Sequence, residues 1–217
     1  ATISIARLGP DCQLHFYSMK ILFMDTESTD LAASWGRILC ASFAELEGEA
    51  HTLRGDRKPY VGKTKIDDSK LCAAIRDELE SADIVVGWNS ILHDVPLLNA
   101  RLALADGRSL RLGEKHGTWH LDAMYYVGGQ TMKIGGRRLD TAAKFFHAGH
   151  QKTPLDGEIW QLAGVGDRKA MDAVVEHCEA DVLVLRDLWP RIAPHVKKFQ
   201  FSLSEVWPFV AQIPSRR

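Results

Sequence analysis

Two apolar strand patterns, Met19 to Met24 with its unbroken run from Ile21, and IVVGWN from Ile84 to Asn89, constrain the fold more than any other feature of the chain. Neither alternates with polar residues, so each reads as a strand covered on both faces, which requires helices above and below a sheet. After the first run come two more strand patterns, RILCASFAEL from Arg37 to Leu46 and EAHTLRGDR, with charged turns between them that favour a meander. DDSKLCAAIRDELESAD reads as a helix, with caps at Asp67 to Ser69 and Leu71, Ile75 and Leu79 four apart. HDVPLLNARLALA reads as another helix, provided Pro96 lies in its first turn. A strand over 118–122, a short helix in LDTAAKFFHAGH and a long helical pattern stopping near Pro190 complete the plan. Three strands followed by alternating helix and strand predict an α/β fold, a mixed central β-sheet flanked by helices.

The 217 residues suit one core with decorations. Lys20-Ile21-Leu22-Phe23 makes a natural start. Residues 1–18 therefore read as an N-terminal extension or extra strand, 19–196 as the domain, and 197–217 as a tail packing on the core. No apolar run approaches the ~18–20 residues of a membrane span, and the first twenty residues lack the layout of a signal peptide. No membrane partner is expected. Cys12, Cys40, Cys72 and Cys178 form no CxxC pair, which excludes a zinc knuckle and a disulfide framework and fits a reducing, cytoplasmic setting in a bacterial or phage-infected cell. The net charge of −1 removes wholesale basicity as a pointer to nucleic acid. It decides nothing further, because local basic loops and bound metal ions supply positive potential where it is needed.

Just past the first apolar run, FMDTES places Asp25 and Glu27 two apart, hence on one face of a strand. Like charges this close raise each other's pKa unless a cation neutralises them, and two hard oxygen ligands suit Mg²⁺ or Mn²⁺. Asp94 stands at the start of the helix after the strand IVVGWNS, and His177 and Asp181 stand four apart on one face of the last helix. Taken singly these are an acidic strand end, a helix cap and a surface hydrogen-bonded pair. Together, in this order, they are poorly explained by coincidence.

The blocks FMDTES, IVVGWNSILHDVPLLNARL and VVEHCEADVLVLRDL resemble the three exonuclease motifs of the DnaQ-like (DEDD) 3′–5′ exonucleases. The likeness runs from about Met19 to Ile192. Gly87-x-Asn89-Ser90 with Asp94-x-Pro96-x-Leu98 is most similar to the proofreading domains of family B DNA polymerases and their stand-alone relatives. The resemblance implies a ribonuclease H-like fold and two Mg²⁺ or Mn²⁺ ions held by Asp25, Glu27, Asp94 and Asp181. It implies a two-metal hydrolysis that releases nucleoside monophosphates from single-stranded 3′ ends. The substrate would be DNA in preference to RNA, with a polymerase or other replication or repair protein as a possible partner in trans. An exoribonuclease of the same superfamily and a catalytically silent binder of nucleic-acid ends are the alternatives. One departure stands out. The family places its general base as His five residues before the last Asp, or as Tyr four before it. Here Glu176 is five before Asp181 and His177 is four before, so His177 takes the tyrosine's place. A neutral imidazole suits proton abstraction at pH 7 better than a phenol does.

Around these residues, Asn89 reads equally as a turn residue and as a contact to the terminal nucleotide. Thr26 offers backbone contacts to the 3′ end, with its side chain packed on the other face. Leu97 and Leu98 read as core, or one of them as a wedge against the last base. Asp122, ending a strand near the sheet's middle, reads as a structural hydrogen-bonding group or as a residue that supports the carboxylate site from behind. Trp35 and Trp88 read as core. Lys133, Arg137 and Arg138, followed by Lys144, His147, His150 and Lys152, form either a phosphate-tracking surface or a solvated loop. Cys178 points some 100° away from His177 on a helix, which rules out a thiol nucleophile.

Overall fold

A computed structural model describes residues 3–8, 14–64, 66–112, 118–128 and 131–196. Strands β1 (Ile3–Leu8) and β2 (Leu14–Met19) pair antiparallel as a separate two-stranded sheet. The expected packing of 197–217 on the core lies outside the described residues.

The main sheet runs β5-β4-β3-β6-β7. β3 (Ile21–Ser28) is antiparallel to β4 (Ile38–Glu45), and β4 to β5 (His51–Arg54), as a meander requires. β6 (Ile84–Gly87) lies parallel to β3 and to β7 (Trp119–Asp122), each joined through a crossover. The sheet is mixed, and helices cover both faces.

Alternation along β3 decides which side chain meets which layer. Ile21 and Phe23 belong to one apolar cluster with Val182, Leu185, Leu188 and Trp189 of the last helix, α6 (Arg168–Ile192). Trp189 is fully buried, with its ring edge-on to Phe23 at 5.8 Å. Leu22 and Met24 point the other way, into a cluster with Leu71, Ile75 and Leu79 of α1 (Ser69–Glu80) and Leu97, Leu98 and Leu102 of α2 (Asp94–Ala105). The same period carried past Met24 aims Asp25 and Glu27 at α6 and Thr26 at α2.

α6 ends at Ile192, two residues past Pro190, as the helical pattern predicts. Proline within two residues of a helix end removes one hydrogen bond that the buried Trp189 and Ile192 readily offset. Between β7 and α6 lie three shorter helices, α3 (Ala123–Val127), α4 (Leu139–Phe146) and α5 (Gly157–Val165). α5 was not expected from apolar periodicity, because it buries only Ala163. Its end signals are plain nonetheless: the Asp156 side chain accepts the Glu158 N–H, and Gly166 takes the left-handed position at its end.

Candidate active site

β3 delivers Asp25 and Glu27 at its C-terminal end, where the pairing to β4 slips by one residue after Glu27. Such a bulge ends regular pairing and frees the strand end to face a cleft. Asp94 arrives from the turn after β6, and that turn is built residue by residue. A Cβ at Gly87 would lie 2.2 Å from the Ser90 hydroxyl, so only glycine lets the chain fold back there. Asn89 takes φ +61°, a left-handed conformation that asparagine tolerates well. Buried Ser90 hydrogen-bonds His120 Nε2 at 2.9 Å, and burial pushes the His120 pKa down to about 4. Asp122, 2% exposed, accepts the N–H groups of Asn89, Ile91 and Met124 at 2.8–3.1 Å. Its carboxylate thus anchors the turn that positions Asp94.

Asp94 Oδ1 accepts the Thr26 N–H at 3.1 Å and the Thr26 hydroxyl at 2.5 Å. Thr26 does face away from its acidic neighbours, but on that face it meets the carboxylate α2 brings rather than packing into the core.

α6 presents His177 and Asp181, both buried, on the side facing β3. His177 Nε2 lies 3.6 Å from Glu27 Oε1 and 4.0 Å from Asp181 Oδ2, and its Nδ1 is 3.1 Å from the Thr153 hydroxyl. Trp160 of α5 donates its indole N–H to Glu27 Oε2 at 2.8 Å and sets its ring at 87° to the imidazole. Lys152 donates its ammonium to Asp181 Oδ2. Among the described residues, buried Asp181 Oδ1 has no hydrogen-bond partner.

The electrostatics follow from four carboxylates sharing little water. Burial first, then repulsion from Asp94, Glu27 and Asp181, lifts Asp25 well above the usual carboxylate range. Burial raises Glu27 to about 7 against the opposing indole hydrogen bond. Burial also raises Asp94, although Thr26 resists the shift. Desolvation lowers His177, keeping the imidazole neutral. Lys152 is desolvated too, yet the Asp181 charge and hydrogen bond raise its pKa and hold it protonated.

A buried carboxylate oxygen with no donor, beside further carboxylates held partly protonated, is what a hard divalent cation would satisfy. Asp25, Glu27, Asp94 and Asp181 therefore fit a magnesium- or manganese-type ion. Among the described residues, however, no three His, Cys, Asp or Glu side chains stand as close as bound ligands do. Thr26 engages Asp94, Lys152 engages Asp181, and Trp160 engages Glu27.

Asn89 and Leu97 line a cleft that also contains Thr26 and the three carboxylates Asp25, Glu27 and Asp94. Arg138 lines a second cleft on the other side of Glu27, and Lys133 and Arg137 line neither. Arg137 instead donates to Gly128 O, and its carbonyl accepts the Trp88 indole N–H. Trp88 is half-buried, while Trp35 is 85% exposed rather than part of the core. Cys178 is buried, with its thiol on the Asp25 carbonyl. Sequence patterns did not single out Trp160 or Thr153. Lys152 was legible only as one of several basic residues.

The family model described as the RNase H superfamily matches residues 22–192, and the chain belongs to that superfamily. Among solved structures, the family B DNA polymerase of the hyperthermophilic archaeon Pyrobaculum calidifontis shares the fold at a TM-score of 0.63 and 17% identity. That match covers 89% of this chain and 29% of the polymerase. No curated protein matches the sequence. Among the described residues no helix is long and apolar enough to cross a membrane.

Proposed function

We propose that this chain is a metal-dependent 3′–5′ exonuclease that removes nucleotides from single-stranded DNA ends. The observation that supports the reading is that Asp25 feels the charges of Asp94, Glu27 and Asp181, drawn from α2, β3 and α6, while the buried Asp181 Oδ1 has no hydrogen-bond partner among the described residues. The four carboxylates would hold Mg²⁺ or Mn²⁺. Such ions, when bound, polarise the scissile phosphate and acidify the attacking water. Neutral His177, its Nδ1 3.1 Å from the Thr153 hydroxyl, would accept the proton of that water at Nε2 or orient it. Trp160 keeps Glu27 facing the imidazole. Thr26, Asn89 and Leu97 cradle the terminal nucleotide, and Arg138 in the adjoining cleft is the cationic contact, since Lys133 and Arg137 line neither cleft. DNA is preferred because Gly87-x-Asn89-Ser90 and Asp94-x-Pro96-x-Leu98 resemble polymerase proofreading domains.

One observation favours a non-catalytic relative that binds nucleic-acid ends. Asp94, Asp181 and Glu27 each already have a protein partner. Digestion of 5′-labelled single-stranded DNA and RNA, with Mg²⁺, Mn²⁺ or chelator, decides between them. The expected outcome is a ladder that shortens from the 3′ end, requires metal and runs faster on DNA. Asp25→Asn should slow it by at least ~100–1,000-fold, the scale of losing one charge-stabilising group. Faster RNA degradation would reassign the substrate, and no cleavage by the folded protein would leave the binding role.

A further inference from the structure

Two clefts open from the carboxylate cluster, sharing Glu27 and Trp160, and their charge differs. The smaller, about 430 Å³, is lined by the carboxylates of Asp25, Glu27, Asp30 and Asp94 and by no lysine or arginine. The larger, about 940 Å³, is lined by Arg138, Lys144, His147 and Lys152, with Asp140 as its only acid besides Glu27. A strand carries one negative charge per nucleotide, so successive phosphates cannot run through the acidic cleft without large repulsion. The basic cleft has the complementary charge and about twice the volume.

Local geometry supports a use for these side chains. Lys144 is 75% exposed, and its ion pair with Asp140 across one helical turn is of the weak surface kind that a phosphate can replace. His147 ends α4 at φ +54°, the left-handed position that glycine usually fills, yet here an imidazole is kept and lines the cleft. Lys152 is committed to Asp181 and is set aside.

We propose that the larger cleft is the path of the single strand approaching the scissile bond, with Arg138, Lys144 and His147 contacting successive phosphates. The assignment rests on the exonuclease reading and adds to it where the undigested strand lies. Binding of a fluorescein-labelled single-stranded DNA longer than the cleft, followed by anisotropy in chelator across a salt series, tests it. Loss of two phosphate contacts in Arg138→Gln/Lys144→Gln should shrink the slope of log Kd against log salt by about 1.4. At low salt the affinity should fall on the order of tenfold or more. His147→Gly suits the backbone at that position, so its melting temperature should not fall while its affinity does. A wild-type salt slope in the double variant, together with wild-type affinity in His147→Gly, overturns the path. Failure of the wild-type chain to degrade DNA in the parallel digestion sinks the exonuclease reading itself.

Discussion

The two walls of the site are built in different ways. One consists of β3, the start of α2 and the middle of α6, whose carboxylates stand beside fully buried residues such as Phe23, Met24, Leu98 and Val182. The other is the stretch from His147 through α5, where most residues are exposed or half-buried. It brings Lys152, Thr153 and Trp160, and each of them modulates a group on the first wall. Carboxylates this close have to be held against mutual repulsion, so they sit on elements the core has already fixed. Groups that tune charge or orient an imidazole can come from a less deeply packed segment, which is also the one that lines the basic cleft.

The largest effect separating the walls is expected far from the chemistry. Asp68, 4% exposed, accepts both Arg101 Nη2 at 2.6 Å and the Ile38 N–H at 2.9 Å, which ties α2 to the start of β4. Arg101 also reaches the Ala33 carbonyl and so holds the loop between β3 and β4. Arg101→Met leaves a buried carboxylate without its countercharge, a loss of about 3–5 kcal/mol. The melting temperature should fall by roughly 10 °C in thermal unfolding followed by circular dichroism. Lys152→Gln on the second wall should cost less stability, because the Lys152 side chain is 34% exposed against 13% for Arg101 and water screens the Asp181 charge it leaves behind. Equal losses on the two walls would mean that the second is as much part of the core as the first.

The same division decides what the sequence makes legible. Asp25 and Glu27 can be placed from strand alternation, and His177 and Asp181 from helical spacing, because both periods are set by buried neighbours. The unbroken apolar runs likewise predict a sheet covered on both faces, and helices do cover it. α5 escapes that logic because a helix burying one alanine leaves no apolar stripe, although Asp156 and Gly166 mark its ends. The pairs Lys152–Asp181 and Trp160–Glu27 are separated by 29 and 133 residues, so no local pattern joins them. Trp35 fails in the opposite direction. Strand proximity predicts burial, yet the residue sits on a turn whose inner contacts are backbone ones, and its ring faces solvent.

A second, smaller effect probes how strongly the first wall repels itself. In the folded chain, burial and repulsion keep protons on Asp25, Glu27 and Asp94 at pH values where the unfolded chain has lost them. Raised carboxyl pKa values stabilise the metal-free fold below the ordinary value, 4.5 for Glu27, and that stability is lost as the pH climbs through about 7. His177, lowered by burial, works in the opposite sense, but only below its ordinary value of 6.5. With three carboxyls against one imidazole, the melting temperature in chelator should drop by roughly 5 °C between about pH 5 and pH 8, a few kcal/mol at most. Glu27→Gln should flatten that slope, and a divalent ion should flatten it in the wild type. A metal-free protein whose stability rises over the same interval would contradict the shared burial of the cluster.

The smallest effect concerns Lys152, a cation already inside the cluster. The Lys152 ammonium satisfies one oxygen of Asp181 and partly screens Asp25 and Glu27. A divalent ion drawing on Asp181 has to compete with it. Lys152→Gln removes the competitor and leaves the cluster more negative, so Mn²⁺ affinity measured by calorimetry should tighten by about tenfold, 1.4 kcal/mol. The chelated protein should melt lower than wild type, because Asp181 is left buried without its ammonium, and added Mn²⁺ should raise the midpoint more than it does in wild type. If Lys152 served only to hold a substrate phosphate, the Mn²⁺ affinity would not move. If the lysine helped assemble the cluster instead of competing for it, the affinity would weaken. The sign of that shift therefore tells whether the second wall merely neutralises the first or helps to build it.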